Sequence, residues 1–125
     1  TNGCFDVLHR GHIDMLKYAK SLGDEVLVGV DTDQKVQKDK GIERPFNTLE
    51  DRIEMLRALR YVDRVIAFDS RAELERLVKE YSPDYLVVGA DWRDKEVIGG
   101  DYATQVCFFE RTRDVSTTQI LGYLK

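Results

Sequence analysis

The sequence predicts a three-layer α/β/α domain built on a doubly wound parallel β-sheet. Short apolar runs recur along the chain, segments with helical periodicity separate them, and the two kinds of segment alternate. A run that is apolar at successive positions is typical of a parallel strand that is covered on both faces. Strands that alternate with helices connect into a parallel sheet with a layer of helices on each side.

Short apolar runs predict the strands. Each run is rich in β-branched or aromatic residues, and such short runs fit strands better than helices. The predicted strands occupy residues 25–30, 65–68, 85–90 and 106–109.

Helical patterns lie between these runs. The first helix is predicted over residues 11–21, with Gly23 as its stop signal. Capping residues at Thr48, Ser70 and Ser116 predict three further helix starts. Apolar residues at helical spacing follow two of these caps: Leu49, Ile53, Leu56 and Leu59 after Thr48, and Leu74, Leu77, Val78 and Tyr81 after Ser70.

The segment 31–46 is polar and rich in lysine, and it shows no hydrophobic periodicity. It is therefore predicted to be a long loop that follows a strand. Long loops within compact domains are usually functional or mobile.

The predicted sheet lacks its first strand. In a doubly wound sheet, ligands bind beyond the carboxyl ends of the strands, where the next helix points its amino end at them. A strand should therefore run into Asn2-Gly3, but Thr1 leaves no room for it. We expect residues to precede Thr1 in the intact protein, and we expect a gap in the sheet beside residues 25–30.

Length and charge exclude several classes of protein. The 125 residues form one domain, residues 1–125, because the chain is too short for a second core. The net charge of −4 and the pI near 5.2 do not favour binding to nucleic acid or to an anionic membrane. No apolar run approaches the roughly 20 residues of a membrane span, and the N-terminus does not resemble a secretion signal, so a cytoplasmic location is expected.

The two histidines of the chain lie at the start of the first predicted helix. His9 and His12 are three positions apart, so both ring systems can point beyond the amino end of the helix. Gly11 between them leaves the backbone bare, which permits close approach of a charged ligand. Together with the free N–H groups and the positive end of the helix dipole, they form a candidate anion site.

Alternatives remain open for these histidines. A histidine on a helix is more often a surface or packed residue than a ligand, and a four-residue pattern also arises by chance. Zinc binding is disfavoured because a third ligand is absent nearby. Cys4 and Cys107 are not clustered, so they form neither a metal site nor a disulfide framework. The sequence therefore predicts no protein metal site.

A second candidate anion site follows the last predicted strand. Arg111 and Arg113 precede Ser116, Thr117 and Thr118 at a predicted helix start. Guanidinium, hydroxyl and backbone N–H donors suit phosphate oxygens. The alternative is an ordinary helix cap beside solvated arginines.

Taken together, the two sites resemble those of the cytidylyltransferase-like nucleotidyltransferases. The resemblance is carried by G-x-F-D-x-x-H-x-G-H at residues 3–12 and by R-T-x-x-[IV]-S-T-T at residues 111–118, and it covers nearly the whole chain. Residues 1–6, 40–45 and 49–52 look most like the adenylyltransferase domain of bacterial ADP-heptose synthases. Residues 89–92 and 111–118 are more similar to glycerol-3-phosphate cytidylyltransferases.

The resemblance implies a Rossmann-like fold and a set of site residues. Catalytic contacts with the phosphates are implied for His9, His12, Lys40 and Arg52. Nucleotide binding is implied for Gly3, Cys4, Phe5, Asp6 and Gly11 at the first motif, for Gly89, Asp91 and Trp92 near the nucleoside, and for Arg111, Ser116, Thr117 and Thr118 at the β and γ phosphates. Asp6 could instead be a structural cap, and Trp92 a packing residue.

The resemblance also implies the reaction. The favoured hypothesis is transfer of AMP from ATP to a sugar phosphate such as heptose 1-phosphate, with release of pyrophosphate. The alternative is CTP-dependent cytidylyl transfer to glycerol 3-phosphate or another polyol phosphate, and a non-catalytic nucleotide-binding module ranks lower. Mg²⁺ is expected to enter with the nucleotide phosphates, and the resemblance implies a homodimer.

Overall fold

The computed structural model describes residues 1–110 and 120–122. The strands are β1 (Asn2–Gly3), β2 (Leu27–Asp31), β3 (Arg64–Phe68), β4 (Tyr85–Gly89) and β5 (Gln105–Phe109). The helices are α1 (Arg10–Leu22), α2 (Asp33–Lys40), α3 (Leu49–Arg57) and α4 (Arg71–Tyr81), with 3₁₀ turns at Ala90–Trp92 and Gly100–Tyr102. Residues 120–122 are also helical. In the described part of the chain, the helices lack the combination of length and hydropathy that crossing a lipid bilayer requires.

The strand pairs of the described chain are parallel, as the apolar runs predict. β2 lies between β1 and β3, and β4 pairs with β5. The register places Gly29 of β2 opposite Asn2 on one side and Ile66 on the other, and it places Val87 of β4 opposite Cys107. The four predicted strands are therefore confirmed, with their ends shifted by one or two residues.

Two buried apolar clusters cover the strands. In the first, Leu16 of α1 and Leu56 of α3 join Phe5 and the β2 residues Val28 and Val30. The second joins α4 to β3 and β4, and its buried members are Phe68, Leu74, Val78, Leu86 and Val88. β3 contributes Val65 and Ala67 to the first cluster and Phe68 to the second, so helices pack on both faces of the strands and the predicted three-layer α/β arrangement is confirmed.

Two of the predicted helix caps are present. Thr48 Oγ1 accepts a hydrogen bond from the backbone N–H of Asp51 at 3.3 Å, and Ser70 Oγ accepts one from that of Glu73 at 3.1 Å. Each bond satisfies an N–H group that the first turn of a helix leaves unpaired. The helix start predicted at Ser116 lies outside the described residues.

The prediction of a loop over residues 31–46 is wrong for half of that segment. Helix α2 begins after Thr32, whose Oγ1 accepts from the N–H of Lys35 at 3.3 Å. Val36 is fully buried and is the only buried residue of this helix. A polar helix that buries a single apolar side chain produces no hydrophobic periodicity, so its cap was the only available signal.

The first strand is short, and the sheet is interrupted beside it. Contrary to the expectation that Thr1 leaves no room for a strand, Asn2 and Gly3 pair with β2 at Gly29 and Val30. A cavity of about 350 Å³ lies between the amino ends of β2 and β4, whose strands belong to separate hydrogen-bonded groups, β1-β2-β3 and β4-β5. This cavity is at the opposite end of the strands from the predicted site.

Candidate active site

The predicted site lies at the carboxyl ends of the strands. Cys4 follows β1 directly, Asp31 ends β2 and Gly89 ends β4. Helix α1 begins at Arg10, shortly after β1, so its amino end faces the same edge of the parallel sheet. This edge is where a doubly wound sheet binds its ligands.

The structure brings the two histidines together in a reciprocal cap of α1. His9 Nδ1 accepts a hydrogen bond from the backbone N–H of Gly11 at 3.0 Å, and His12 Nδ1 accepts one from the backbone N–H of His9 at 3.2 Å. The two ring centroids are 3.9 Å apart. Because Nδ1 of each ring accepts, a neutral imidazole must carry its proton on Nε2. The cap therefore makes Nε2 of both rings a hydrogen-bond donor.

Phe5 occupies an unusual backbone conformation beside these histidines. Its φ of 49° lies in the left-handed region, which costs a non-glycine residue roughly 1–2 kcal/mol. The Phe5 side chain is buried, and its ring lies 5.2 Å from that of His12. A Cβ at Gly3 would lie 3.3 Å from the Phe5 ring, so Gly3 permits this close packing. The predicted nucleotide-binding segment, residues 3–6, is thus strained at Phe5, and contacts with other parts of the chain must keep it in this conformation.

Asp6 anchors a distant segment to this loop. It is 1% exposed, and its carboxylate accepts from Arg44 Nε at 2.8 Å and from the backbone N–H groups of Phe46 and Asn47, each at 2.9 Å. Burial alone would raise the pKa of Asp6, but the hydrogen bonds from Asn47 and Phe46 and the Arg44 charge together lower it below its usual value. These contacts support the structural alternative for Asp6, which acts as an ionised anchor.

Arg52 is held by protein oxygens. It is 1% exposed, and its guanidinium donates to the carbonyl oxygens of Asn47, Cys4 and Asp31 at 3.1, 2.9 and 2.7 Å and to Asp33 Oδ1 at 2.7 Å. These contacts join the ends of β1 and β2 to the starts of α2 and α3. The geometry therefore favours a role in building the site over the predicted contact with phosphate.

Lys40 ends α2 with an exposed side chain. Burial raises the pKa of the Cys4 thiol and that of the Asp31 carboxyl, and the nearby charge of Lys40 partly offsets both effects. The charge of Lys40 therefore acts on the carboxyl ends of β1 and β2. Its contact with phosphate stays a prediction.

The segment predicted to lie near the nucleoside follows β4. A Cβ at Gly89 would lie only 2.6 Å from Asp91 Oδ1, so the Asp91 carboxylate approaches the backbone at the end of the strand. Trp92 is partly exposed, and Lys95 Nζ lies 5.3 Å from its ring centroid. A side chain at position 89 would displace Asp91.

The second predicted anion site lies outside the described residues. This applies to Arg111, Ser116, Thr117 and Thr118. Their convergence with His9 and His12 on one polyphosphate stays a prediction.

Within residues 1–110 and 120–122, the side chains of His, Cys, Asp and Glu form no group of three that could hold a metal ion. Cys4 and Cys107 are both free thiols, and Cys107 is buried.

Sequence patterns did not reveal Arg44 and Asn47, although both contact Asp6. Two of the Asn47 contacts use its backbone, which leaves no residue-type signal. The available signal for Arg44 was its place in the stretch 40–45 that resembles ADP-heptose synthases.

Comparisons with known proteins identify relatives of this chain. The chain is 44% identical over 125 residues to the bifunctional protein HldE of Campylobacter fetus, and the alignment covers 100% of this chain and 27% of that protein. The chain is 45% identical over 121 residues to HldE of Helicobacter hepaticus, and that alignment covers 97% of this chain and 25% of the relative. The chain thus spans about a quarter of the length of these relatives.

A solved structure is also similar. The lipopolysaccharide core biosynthesis protein of Thermoplasma volcanium superimposes with a TM-score of 0.69 at 27% identity, over 91% of this chain and 94% of that one. The family model described as cytidylyltransferase-like matches residues 1–121. The chain with the paired histidines at the start of α1 therefore belongs to the cytidylyltransferase-like family of nucleotidyltransferases.

Proposed function

We propose that this domain transfers AMP from ATP to a sugar phosphate of the heptose 1-phosphate class and releases pyrophosphate. The observation that carries the proposal is the reciprocal cap of His9 and His12, which turns Nε2 of both imidazoles into donors at the amino end of α1. The similarity of the chain to HldE proteins over its whole length supports the heptose class of acceptor.

The acceptor can act as nucleophile without a general base. The second pKa of a phosphate monoester is about 6, so the group is already a dianion at neutral pH. The barrier comes from repulsion between this dianion and the triphosphate, and from charge that builds on the α-phosphoryl oxygens and the departing pyrophosphate. The domain therefore needs fixed cationic or N–H donors more than it needs a base.

The described residues provide such donors. The imidazole Nε2 atoms lie at the amino end of α1, where the helix dipole is positive, and the geometry of both rings is set before substrate arrives because the cap bonds are internal. Lys40 adds a positive charge near Cys4 and Asp31. In the proposal, the imidazoles bind phosphoryl oxygens of ATP, and Lys40 offsets the repulsion between ATP and the acceptor.

Mg²⁺ fits this site as a companion of the nucleotide. It retains several waters and commonly binds substrate phosphates with few protein ligands. When bound, it would neutralise part of the triphosphate charge.

Cytidylyl transfer to glycerol 3-phosphate is the second candidate. It is favoured by the Gly89-Ala90-Asp91-Trp92 segment, which is more similar to glycerol-3-phosphate cytidylyltransferases. The Asp91 carboxylate lies against the end of β4, where it could accept a hydrogen bond from the amino group of either cytosine or adenine. Both candidates use the same phosphate-binding residues, so they differ only in base and acceptor.

Pyrophosphate release tests the proposal. ATP and CTP should each be paired with heptose 1-phosphate and with glycerol 3-phosphate, and formation of the nucleotide sugar should be followed in parallel. We expect kcat/KM for ATP with heptose 1-phosphate to exceed that of the other pairs by about 10-fold or more, which is what modest differences in pocket contacts provide. A preference for CTP with glycerol 3-phosphate would establish the second candidate instead. Tight nucleotide binding without pyrophosphate from any pair would contradict catalysis and indicate a binding module.

A further inference from the structure

Asn47 bridges two buried ions of opposite charge. The side chains of Asp6 and Arg52 are each 1% exposed. Asn47 donates to Asp6 twice, from its backbone N–H to Oδ1 at 2.9 Å and from its side-chain Nδ2 to the backbone carbonyl at 2.6 Å. Its own carbonyl accepts from Arg52 Nε at 3.1 Å. One residue thus satisfies polar groups of both ions.

These contacts hold the backbone on both sides of Phe5. The carbonyl of Cys4, before Phe5, accepts from Arg52 Nη1 at 2.9 Å, and the carbonyl of Asp6, after Phe5, accepts from Asn47 Nδ2. Phe5 between them has a φ of 49°. A non-glycine residue keeps a left-handed conformation only where its surroundings fix the chain on each side.

The conformation of Phe5 bears directly on the histidines. The Phe5 ring packs 5.2 Å from the His12 ring, with 55° between the two planes, and His12 in turn caps the backbone of His9. A change of the Phe5 backbone would move its ring and thereby release His12 from its position.

We propose that Asn47 is a positioning residue whose side-chain amide, by holding the Asp6 carbonyl, keeps Phe5 left-handed and His12 in place. The effect on turnover rests on the proposed nucleotidyl transfer, whereas the effect on Phe5 and His12 does not. The backbone bonds from Asn47 to Asp6 and Arg52 do not depend on its side chain, so a variant at this position keeps them.

The test compares Asn47→Ala with Thr48→Ala. Thr48 is the next residue and caps α3, so its loss lowers the melting temperature by roughly 2 to 8 °C without touching Asp6. Asn47→Asp serves as a second variant because it keeps the size of the side chain but replaces the Nδ2 donor with an oxygen. The readouts are kcat, KM, the melting temperature, and the amide signal of Phe5 and imidazole signals of His12 in ¹H–¹⁵N spectra.

We expect Asn47→Ala and Asn47→Asp to lower kcat by about 10-fold or more, because small displacements of catalytic groups carry large costs. The Phe5 and His12 signals should shift in both variants. Thr48→Ala should change neither kcat nor these signals, although its melting temperature should fall to a level similar to that of the Asn47 variants. Unchanged Phe5 and His12 signals in Asn47→Ala would overturn the proposal, as would an equal loss of kcat in Thr48→Ala. If the wild-type chain shows no turnover but the signals shift as expected, the positioning role stands and the proposed function fails.

Discussion

Replacing His12 with alanine is expected to lower kcat by about 10² to 10³-fold, the usual cost of removing one donor that faces developing charge. The Nε2 donor is lost together with the acceptor for the His9 N–H. The second loss affects only the first turn of α1, so the chain should remain folded. Steady-state pyrophosphate release with the preferred substrate pair, measured beside a thermal melt, checks both parts.

Two further variants separate the cap from the donor. In His12→Asn, the amide oxygen can take the place of Nδ1 and keep the cap, but no group reaches the position of Nε2. In His12→Gln, the amide nitrogen can reach that position. We expect His12→Asn to be as inactive as His12→Ala with a near-normal melting temperature, and His12→Gln to recover part of the activity. Near-normal turnover of His12→Ala would remove His12 from the catalytic set.

Replacing Arg52 with alanine is expected to destabilise the fold by about 3 to 5 kcal/mol. The carbonyl oxygens of Cys4, Asp31 and Asn47 would lose their shared donor, and each unpaired buried polar group costs roughly 1–3 kcal/mol. Because these oxygens lie at the ends of β1 and β2 and before α3, their loss would loosen the whole site. Urea denaturation with constant m-value would give the change in free energy of unfolding.

Arg64→Ala is the matched control for this prediction. Arg64 Nε pairs with Glu25 at 2.9 Å, but the two side chains are 59% and 57% exposed. Exposed ion pairs contribute less than about 1 kcal/mol, so this variant should unfold at nearly the wild-type urea concentration. If Arg52→Ala is no less stable than Arg64→Ala, the hydrogen bonds of Arg52 do not hold the ends of β1 and β2 to the starts of α2 and α3.

The features predicted from sequence were those with a local physical signature. Because both faces of the strands are covered, the strands are visible in the sequence as apolar runs. The capping residues Thr48 and Ser70 predict the starts of the helices that they cap. Helix α2 was missed because it buries only Val36. Hydrophobic periodicity along a helix reflects which of its residues are buried, so a helix with one buried residue shows almost no periodicity.

The residues of the candidate site also divide into those that a local sequence pattern predicts and those that it does not. His9 and His12 are neighbours along one helix, so their spacing predicts that they meet. The roles of Arg52 and Asn47 depend on oxygens contributed by residues far away along the chain, such as Cys4 and Asp6. Backbone carbonyls belong to every residue, so no sequence pattern identifies which of them an arginine will bind.

The role of the two imidazoles in binding nucleotide can be tested directly on their ring nitrogens. The chain contains only two histidines, so ¹⁵N-histidine labelling reports His9 and His12 without overlap. Without nucleotide, we expect both neutral rings to carry their proton on Nε2. On addition of ATP and Mg²⁺, we expect the Nε2 signals of both rings to shift while their Nδ1 signals stay those of acceptors. Nε2 signals that remain unchanged at saturating ATP would show that the imidazoles do not bind the nucleotide, and rings protonated on Nδ1 would rule out the reciprocal cap.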